Sequence, residues 1–186
     1  MTNQELYESE EVVAKYASFN TRNRCLNNAE KIFIDNYEIK NKKVLVIGSG
    51  IGRVPSNLLL FGNTVIGVEL SSKLCSISKE LFPNTDFKRL EFVEANAIDL
   101  SMFDDNKFDL VFFPQNGLDY IPNIEDRNKA IKEMIRVCKF NGIVAFSSLN
   151  LIAYCISYKL PRHQKEIKNI LKNFLYRKEY VVGGGF

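Results

Sequence analysis

A chain of 186 residues is long enough for one domain with a sizeable core, and 46% hydrophobic with 25% charged residues is the make-up of an ordinary soluble globular protein. The four cysteines (Cys25, Cys75, Cys138, Cys155) form no C-x-x-C pair, which excludes a metal framework of that spacing, and with no signal peptide they read as reduced thiols in a cytoplasm. The longest apolar stretch, 143–157, is too short for a membrane span and is broken by Ser147, Ser148 and Asn150, while a net charge of +3 singles out no partner.

Residues 1–40 carry helical periodicity. Val12, Val13, Tyr16 and Phe19 recur at helical spacing, as do Ala29, Ile32 and Phe33, predicting helices over 8–16 and 22–37 ahead of a sheet. From Lys42 onward short apolar runs alternate with helical patterns. Strands are predicted at 43–47, 64–68, 89–93, 108–113 and 142–148, and helices at 53–61, 71–82 and 124–139. That rhythm implies a parallel sheet with right-handed crossovers. Pro55 falls in the first turn of its helix, where a missing N–H is harmless, and Ser71 is placed to cap the next one. Helix 124–139 sets Ile131, Met134, Ile135 and Cys138 on one face, with Lys129, Lys132, Glu133, Arg136 and Lys139 away from it.

The first strand, Val44-Leu45-Val46-Ile47, is closed by Gly48-Ser49-Gly50-Ile51-Gly52. Alternating glycines allow a sharp turn and leave bare backbone for a ligand. The crevice at the carboxyl end of such a strand is where nucleoside cofactors bind in open α/β sheets. A dinucleotide fingerprint, G-x-G-x-x-G, would need its third glycine at Arg53, which speaks against a nicotinamide-dependent oxidoreductase. The second strand ends at Glu69, 21 residues after Gly48, where an acid can accept hydrogen bonds from ribose hydroxyls.

The G-x-G-x-G spacing resembles motif I of the class I S-adenosylmethionine-dependent methyltransferases. In order, Thr64-Val65-Ile66-Gly67-Val68-Glu69, Phe92-Val93-Glu94-Ala95-Asn96-Ala97-Ile98-Asp99-Leu100, Lys107-Phe108-Asp109-Leu110-Val111-Phe112-Phe113 and Ile135-Arg136-Val137-Cys138-Lys139-Phe140-Asn141-Gly142-Ile143-Val144 are similar to that family's later motifs. The resemblance covers residues 42–148. It implies that S-adenosylmethionine lies along Gly48, Ser49, Gly50 and Gly52, with its ribose on Glu69 and its adenine on Asn96 and Ala97. Leu70 and Pro114 complete that set. In many small-molecule relatives an N-terminal segment folds over the cofactor, which makes Tyr16 and Arg24 candidates for its methionine tail. The alternative is a packed Tyr16 and a solvated Arg24. The chain departs from the family at Val46, where relatives often carry an acid that orients the glycine loop or the cofactor amino group.

The loop Pro114-Gln115-Asn116-Gly117-Leu118-Asp119-Tyr120 leaves the fourth strand beside the glycine turn. There Asn116 could hydrogen-bond an acceptor, and Asp119 or Tyr120 could take its proton. The plainer alternative is a turn at Asn116, a cap at Asp119 and packing at Tyr120. Similar sequences often have His where Leu149 stands, and the only histidine, His163, falls in a basic segment, so no general base is evident. Residues 158–180 hold seven Lys and Arg against two Glu, interleaved with apolar residues at helical spacing, and read as a solvated helix rather than a nucleic-acid patch.

The expected fold is α/β, a Rossmann-like three-layer sandwich with a mainly parallel sheet, truncated after strand five because no room remains for the family's final hairpin. A helical cap (1–40), the cofactor-binding core (41–150) and a basic helical tail (151–186) would form one domain. Strand five would be an exposed edge, covered by the tail or by a second copy in a homodimer. The expected function is methyl transfer from S-adenosylmethionine to an oxygen or nitrogen of a small-molecule acceptor, without metal, nucleic acid or membrane. The alternative is a catalytically idle cofactor-binding protein or a methyltransferase fragment.

Overall fold

The computed structural model describes residues 3–18, 25–83 and 89–149. Two short helices open it, α1 (Asn3–Tyr7) and α2 (Glu10–Ala17), joined at Ser9, whose Oγ accepts from the Val12 N–H at 3.4 Å. Helix α3 (Asn28–Asn36) begins later than its apolar periodicity predicts. Asn27 Oδ1 accepts from the Glu30 N–H and Glu30 Oε2 accepts from the Asn27 N–H, both at 2.8 Å. This reciprocal cap satisfies two otherwise orphan donors and sets the start of the helix at Asn28. Residues 22–24 of the predicted helix, Arg24 among them, lie outside the described residues, as does the predicted tail from 151 onward.

Five strands follow: β1 (Lys43–Ile47), β2 (Thr64–Glu69), β3 (Leu90–Glu94), β4 (Phe108–Phe113) and β5 (Cys138–Phe146). They form one sheet of order β3-β2-β1-β4-β5, every pair parallel. Between them lie α4 (Arg53–Leu59), α5 (Ser72–Leu81) and α6 (Ile124–Val137), with a 3₁₀ turn at Gly117–Tyr120. Ser71 caps α5 as expected, its Oγ accepting from the Leu74 N–H at 3.3 Å.

Side chains alternate across each strand, so the sheet feeds two cores. Val44, Val46, Leu110 and Phe112 pack with Ile34 of α3 and with Val54 and Leu58 of α4. Leu45, Ile47, Val111 and Phe113 pack on the other face with Ala130, Met134 and Val137 of α6. The result is helix, sheet, helix, with β1 buried on both sides. Each fully buried Val, Leu or Ile contributes about 1.5–3 kcal/mol.

Two expectations are corrected on the α6–β5 side. The buried stripe of α6 is Ala130, Met134 and Val137, while Ile135 is 59% exposed. The reason is polar: Arg136 donates to the carbonyls of Leu100 and Phe103, both at 2.9 Å, and Glu133 accepts from the Leu100 N–H at 2.7 Å. Those bonds turn α6 so that its charged face grips the crossover after β3. The helix then ends at Val137, and β5 starts at Cys138 rather than at 142. Phe108 pairs with Cys138 but Leu110 pairs with Ile143, so the residues between Cys138 and Ile143 bulge out before regular pairing resumes.

The chain runs from β1 outward to β3, then crosses back to place β4 on the other side of β1. The β1/β4 boundary is therefore the switch point, and loops leaving the two strands diverge there to open a crevice.

Candidate functional site

The loop after β1 folds over the end of β2. Ser49 N–H donates to Val68 O and Gly52 N–H to Ser49 O, both at 3.0 Å. Gly48 and Gly52 adopt φ of 64° and 93°, in the left-handed region that favours glycine. A Cβ on Gly48 would stand 2.9 Å from the Phe113 ring, and one on Gly52 would stand 2.8 and 2.9 Å from Phe92 and Phe82. Gly52 thus lets α4 approach the sheet.

Above this loop lies a cavity of about 340 Å³. Of the residues expected to hold a cofactor, Gly48, Ser49, Gly50, Glu69, Leu70, Asn96, Ala97, Pro114 and Tyr16 line it together. Gly52 does not; it packs beneath. Of the residues expected to act on an acceptor, Tyr120 lines the cavity, whereas Asn116 and Asp119 stand outside its wall.

Glu69 is buried at the tip of β2. Its carboxylate accepts from the Gly50 N–H at 2.7 Å and the Ser71 N–H at 3.0 Å. Burial pushes its pKa above the ordinary glutamate value, although those N–H donors favour the anion. Ser49 Oγ is buried with no hydrogen-bond partner among the described residues. An orphaned hydroxyl in a cavity wall is a group that a polar ligand would satisfy. Asn96, at the far end, accepts from the Ile98 N–H through Oδ1 at 3.2 Å, leaving its amide nitrogen to donate.

The roof is aromatic. Tyr7 meets Tyr16 and Tyr120 edge-on, with ring centroids 6.2 and 6.3 Å apart. Helices α1 and α2 are pinned over the cavity by α5: Ser71 Oγ donates to Tyr7 O, the Ser72 N–H and Oγ donate to Glu8 Oε1, and Lys73 Nζ donates to Glu8 O. Burial, followed by the neighbouring Tyr16, Tyr120 and Glu69, pushes the Tyr7 phenol up to about 12. Burial and then Glu69 raise Tyr16 as well. Tyr7 escaped the sequence analysis because α1 is short and its partners lie some 64 residues away in the chain.

A second cluster also escaped it. Arg53, considered from sequence only as the residue that breaks a fingerprint, forks onto Glu30 at 2.6 and 2.7 Å. Gln115 Nε2 donates to the same carboxylate at 3.1 Å, and both Arg53 and Gln115 line the cavity. Burial alone would raise Glu30, but the Arg53 fork, the Asn27 N–H and Gln115 together hold it below the ordinary glutamate value.

Asp119 points its carboxylate at the segment after β5, accepting from Ser148 Oγ at 2.7 Å and the Leu149 N–H at 2.6 Å. The Asn116 N–H donates to Ser147 Oγ at 2.8 Å. Together they stitch the loop after β4, which carries Tyr120, to the end of β5.

Residues 45–146 match the methyltransferase domain family. The chain is 34% identical to a sterol 4-C-methyltransferase of Caenorhabditis elegans over 77% of this chain and 39% of that protein. It is 28% identical to a ubiquinone biosynthesis O-methyltransferase of Pelagibacter ubique over 64% of this chain and 47% of that one. It spans less than half the length of these curated relatives. Among solved structures, an S-adenosylmethionine-dependent methyltransferase of Methanosarcina mazei superposes with a TM-score of 0.64 at 25% identity, over 84% of this chain and 69% of that one. The domain match begins inside β1 and ends where β5 ends, so it takes in the whole sheet and the cavity above it. The chain belongs to the class I S-adenosylmethionine-dependent methyltransferases.

Proposed function

We propose that this chain binds S-adenosylmethionine in the cavity above Gly48–Gly50 and directs its methyl group to an oxygen or nitrogen of a small-molecule acceptor. The observation that carries this reading is the order of polar groups along the wall. Asn96 at the end of β3, the Glu69 carboxylate at the end of β2 and the unpartnered Ser49 Oγ after β1 follow the layout of a nucleoside. Glu69 would accept from the ribose hydroxyls, Asn96 would meet the adenine, and the bare backbone at Gly48 and Gly50 would let the ligand lie close. When bound, this cofactor supplies a methyl group already activated by a sulfonium.

The chain's own residues then contribute alignment and exclusion of water more than proton abstraction. Tyr7 and Tyr16 hold their protons well above neutral pH, and Glu69 is engaged by the loop. Tyr120, which lines the cavity and is 51% exposed, would be the side chain that meets an acceptor. Asn116 and Asp119 act behind it by holding its loop. The two relatives above, named for a sterol and for ubiquinone biosynthesis, support a small-molecule acceptor. None of the described helices is long and apolar enough to cross a membrane.

Calorimetric titration with S-adenosylhomocysteine and with NAD tests the cofactor, and labelled methyl transfer across an acceptor panel tests the reaction. Tight binding of the first with none of the second is expected. Binding without transfer to any acceptor would favour the idle binding protein instead.

A further inference from the structure

We infer that the methyl acceptor is an uncharged amphiphile. Its polar reacting end enters the cavity, and its apolar body lies on a rim of Leu6, Tyr120, Ile124 and Leu149. This rests on the methyl transfer proposed above.

The rim is assembled from four separate places in the chain. Leu6 is on α1, Tyr120 ends the 3₁₀ turn after β4, Ile124 opens α6 and Leu149 follows β5. They are 41, 51, 36 and 53% exposed. One such side chain alone is ordinary, but four gathered at one opening form a surface for an apolar partner. Three contacts gather them. Tyr7, next to Leu6, meets the Tyr120 ring at 6.3 Å, and Asp119, next to Tyr120, accepts from the Leu149 N–H at 2.6 Å. Arg127 Nε donates to Ile121 O at 2.7 Å, which holds the start of α6 against the turn. Tyr7, Tyr120 and Ile121 line the cavity, whereas Leu6, Ile124 and Leu149 stand outside its wall. The apolar surface therefore begins at the cavity and continues outward from it.

The charges decide what kind of head enters. Among the described residues the charged side chains of the cavity wall are Arg53 and Glu69. Arg53 is forked onto Glu30, and Glu69 holds the Gly50 and Ser71 N–H groups. An acceptor ammonium, carboxylate or phosphate would shed its water there without gaining a counter-charge of its own. On the rim, Asp119 is engaged by Ser148 and Leu149. An uncharged head on an apolar body avoids the penalty at both places. The helices that roof the cavity also speak against a bilayer as the occupant of the rim. They and their junction carry Glu5, Glu8, Glu10 and Glu11 against Lys15, a balance that an anionic lipid surface repels.

The probes are 4-alkylphenols, titrated by calorimetry into the full chain saturated with S-adenosylhomocysteine. Affinity is expected to rise about two-fold per methylene from 4-ethylphenol to 4-hexylphenol. That is less than the roughly four-fold of a fully buried methylene, because the rim stays half open to water. The charged analogues 4-hexylbenzoate and 4-hexylbenzylamine should bind about ten-fold more weakly than 4-hexylphenol. Leu6→Ser and Leu149→Ser should each flatten the chain-length series, with S-adenosylhomocysteine affinity kept within about two-fold. Phe140→Ser removes an almost fully exposed apolar side chain near the other end of β5 and should leave the series as it is. No gain with chain length, a charged probe that binds as tightly as the phenol, or equal flattening in Phe140→Ser would overturn the inference. So would binding to phosphatidylcholine vesicles that Leu6→Ser and Leu149→Ser abolish, since the rim would then be a membrane face. Wild-type protein that binds S-adenosylhomocysteine but ignores chain length overturns the amphiphile alone. Wild-type protein that does not bind S-adenosylhomocysteine overturns the cofactor reading, and the amphiphile with it.

Discussion

The Gly50 backbone N–H donates to the Glu69 carboxylate at 2.7 Å, so the tip of β2 holds the loop that follows β1. The acid proposed to bind a ribose is also the acid that shapes the glycine turn, and the two roles separate by experiment. Glu69→Ala is expected to weaken S-adenosylhomocysteine binding by about 1–3 kcal/mol and to lower the melting temperature, because two backbone N–H groups lose their acceptor. Asn96→Ala, at an exposed position, should weaken binding while leaving the melting temperature in place. Calorimetry beside a thermal melt reads both.

The two buried glutamates give stability opposite dependences on pH. Glu69 has a raised pKa, so through the window just above 4.5 the folded chain keeps a proton that the unfolded chain has lost, and stability falls as pH rises there. Glu30 has a lowered pKa, so its contribution is full above 4.5 and is lost as pH falls through its lower folded value. Acid titration of the melting temperature should therefore lose its low-pH limb in Glu30→Gln. Arg53→Ala, which strands a carboxylate only 5% exposed, should cost about 3–5 kcal/mol in urea unfolding.

Gly52→Ala tests packing apart from the cavity. Its φ of 93° and the rings of Phe82 and Phe92 leave no space for a methyl group. A loss of about 1–3 kcal/mol of stability is expected from backbone strain and overpacking. Unchanged stability in denaturant titration would mean that α4 can shift away from the sheet.

Asp119 separates positioning from proton transfer. Its bonds to Ser148 Oγ and the Leu149 N–H are those of a strap. Asp119→Asn keeps an oxygen for the Leu149 N–H and an amide for the serine, so methyl transfer should persist within a few-fold, with its pH profile unmoved. Asp119→Ala should raise the acceptor KM as the Tyr120 loop loosens. A collapse of kcat in Asp119→Asn, with loss of a limb of the pH profile, would make Asp119 the base.

The parts of the fold that rest on local pattern were legible early. The bounds of β1 and β4 agree with those read from their apolar runs, which are short, rich in β-branched or aromatic residues and closed by Gly48 and by Pro114. The start of α3 was placed too early because Ala29, Ile32 and Phe33 fix the face of the helix but not its first residue, which the Asn27–Glu30 capping box sets. The exposed side of α6 was misjudged because Ile135 counts as core by hydrophobicity, while Arg136 and Glu133 decide the rotation through bonds to a loop more than 30 residues away.

By itself the sequence determined the alternation of strand and helix, the glycine turn, Glu69 and Asn96 as residues at strand ends, and through them the family. These follow from spacing along one chain, which sterics and burial translate directly into geometry. Only the tertiary structure decided that Gly52 packs instead of lining the cavity, that Asp119 faces the end of β5, and that Tyr7 joins Tyr16 and Tyr120 in the roof. It also brought Glu30 to Arg53 across 23 residues and to Gln115 across 85. The physical reason is that a charged or hydrogen-bonding side chain takes whichever partner the packed layers bring within reach, and its neighbours in sequence carry no record of that choice.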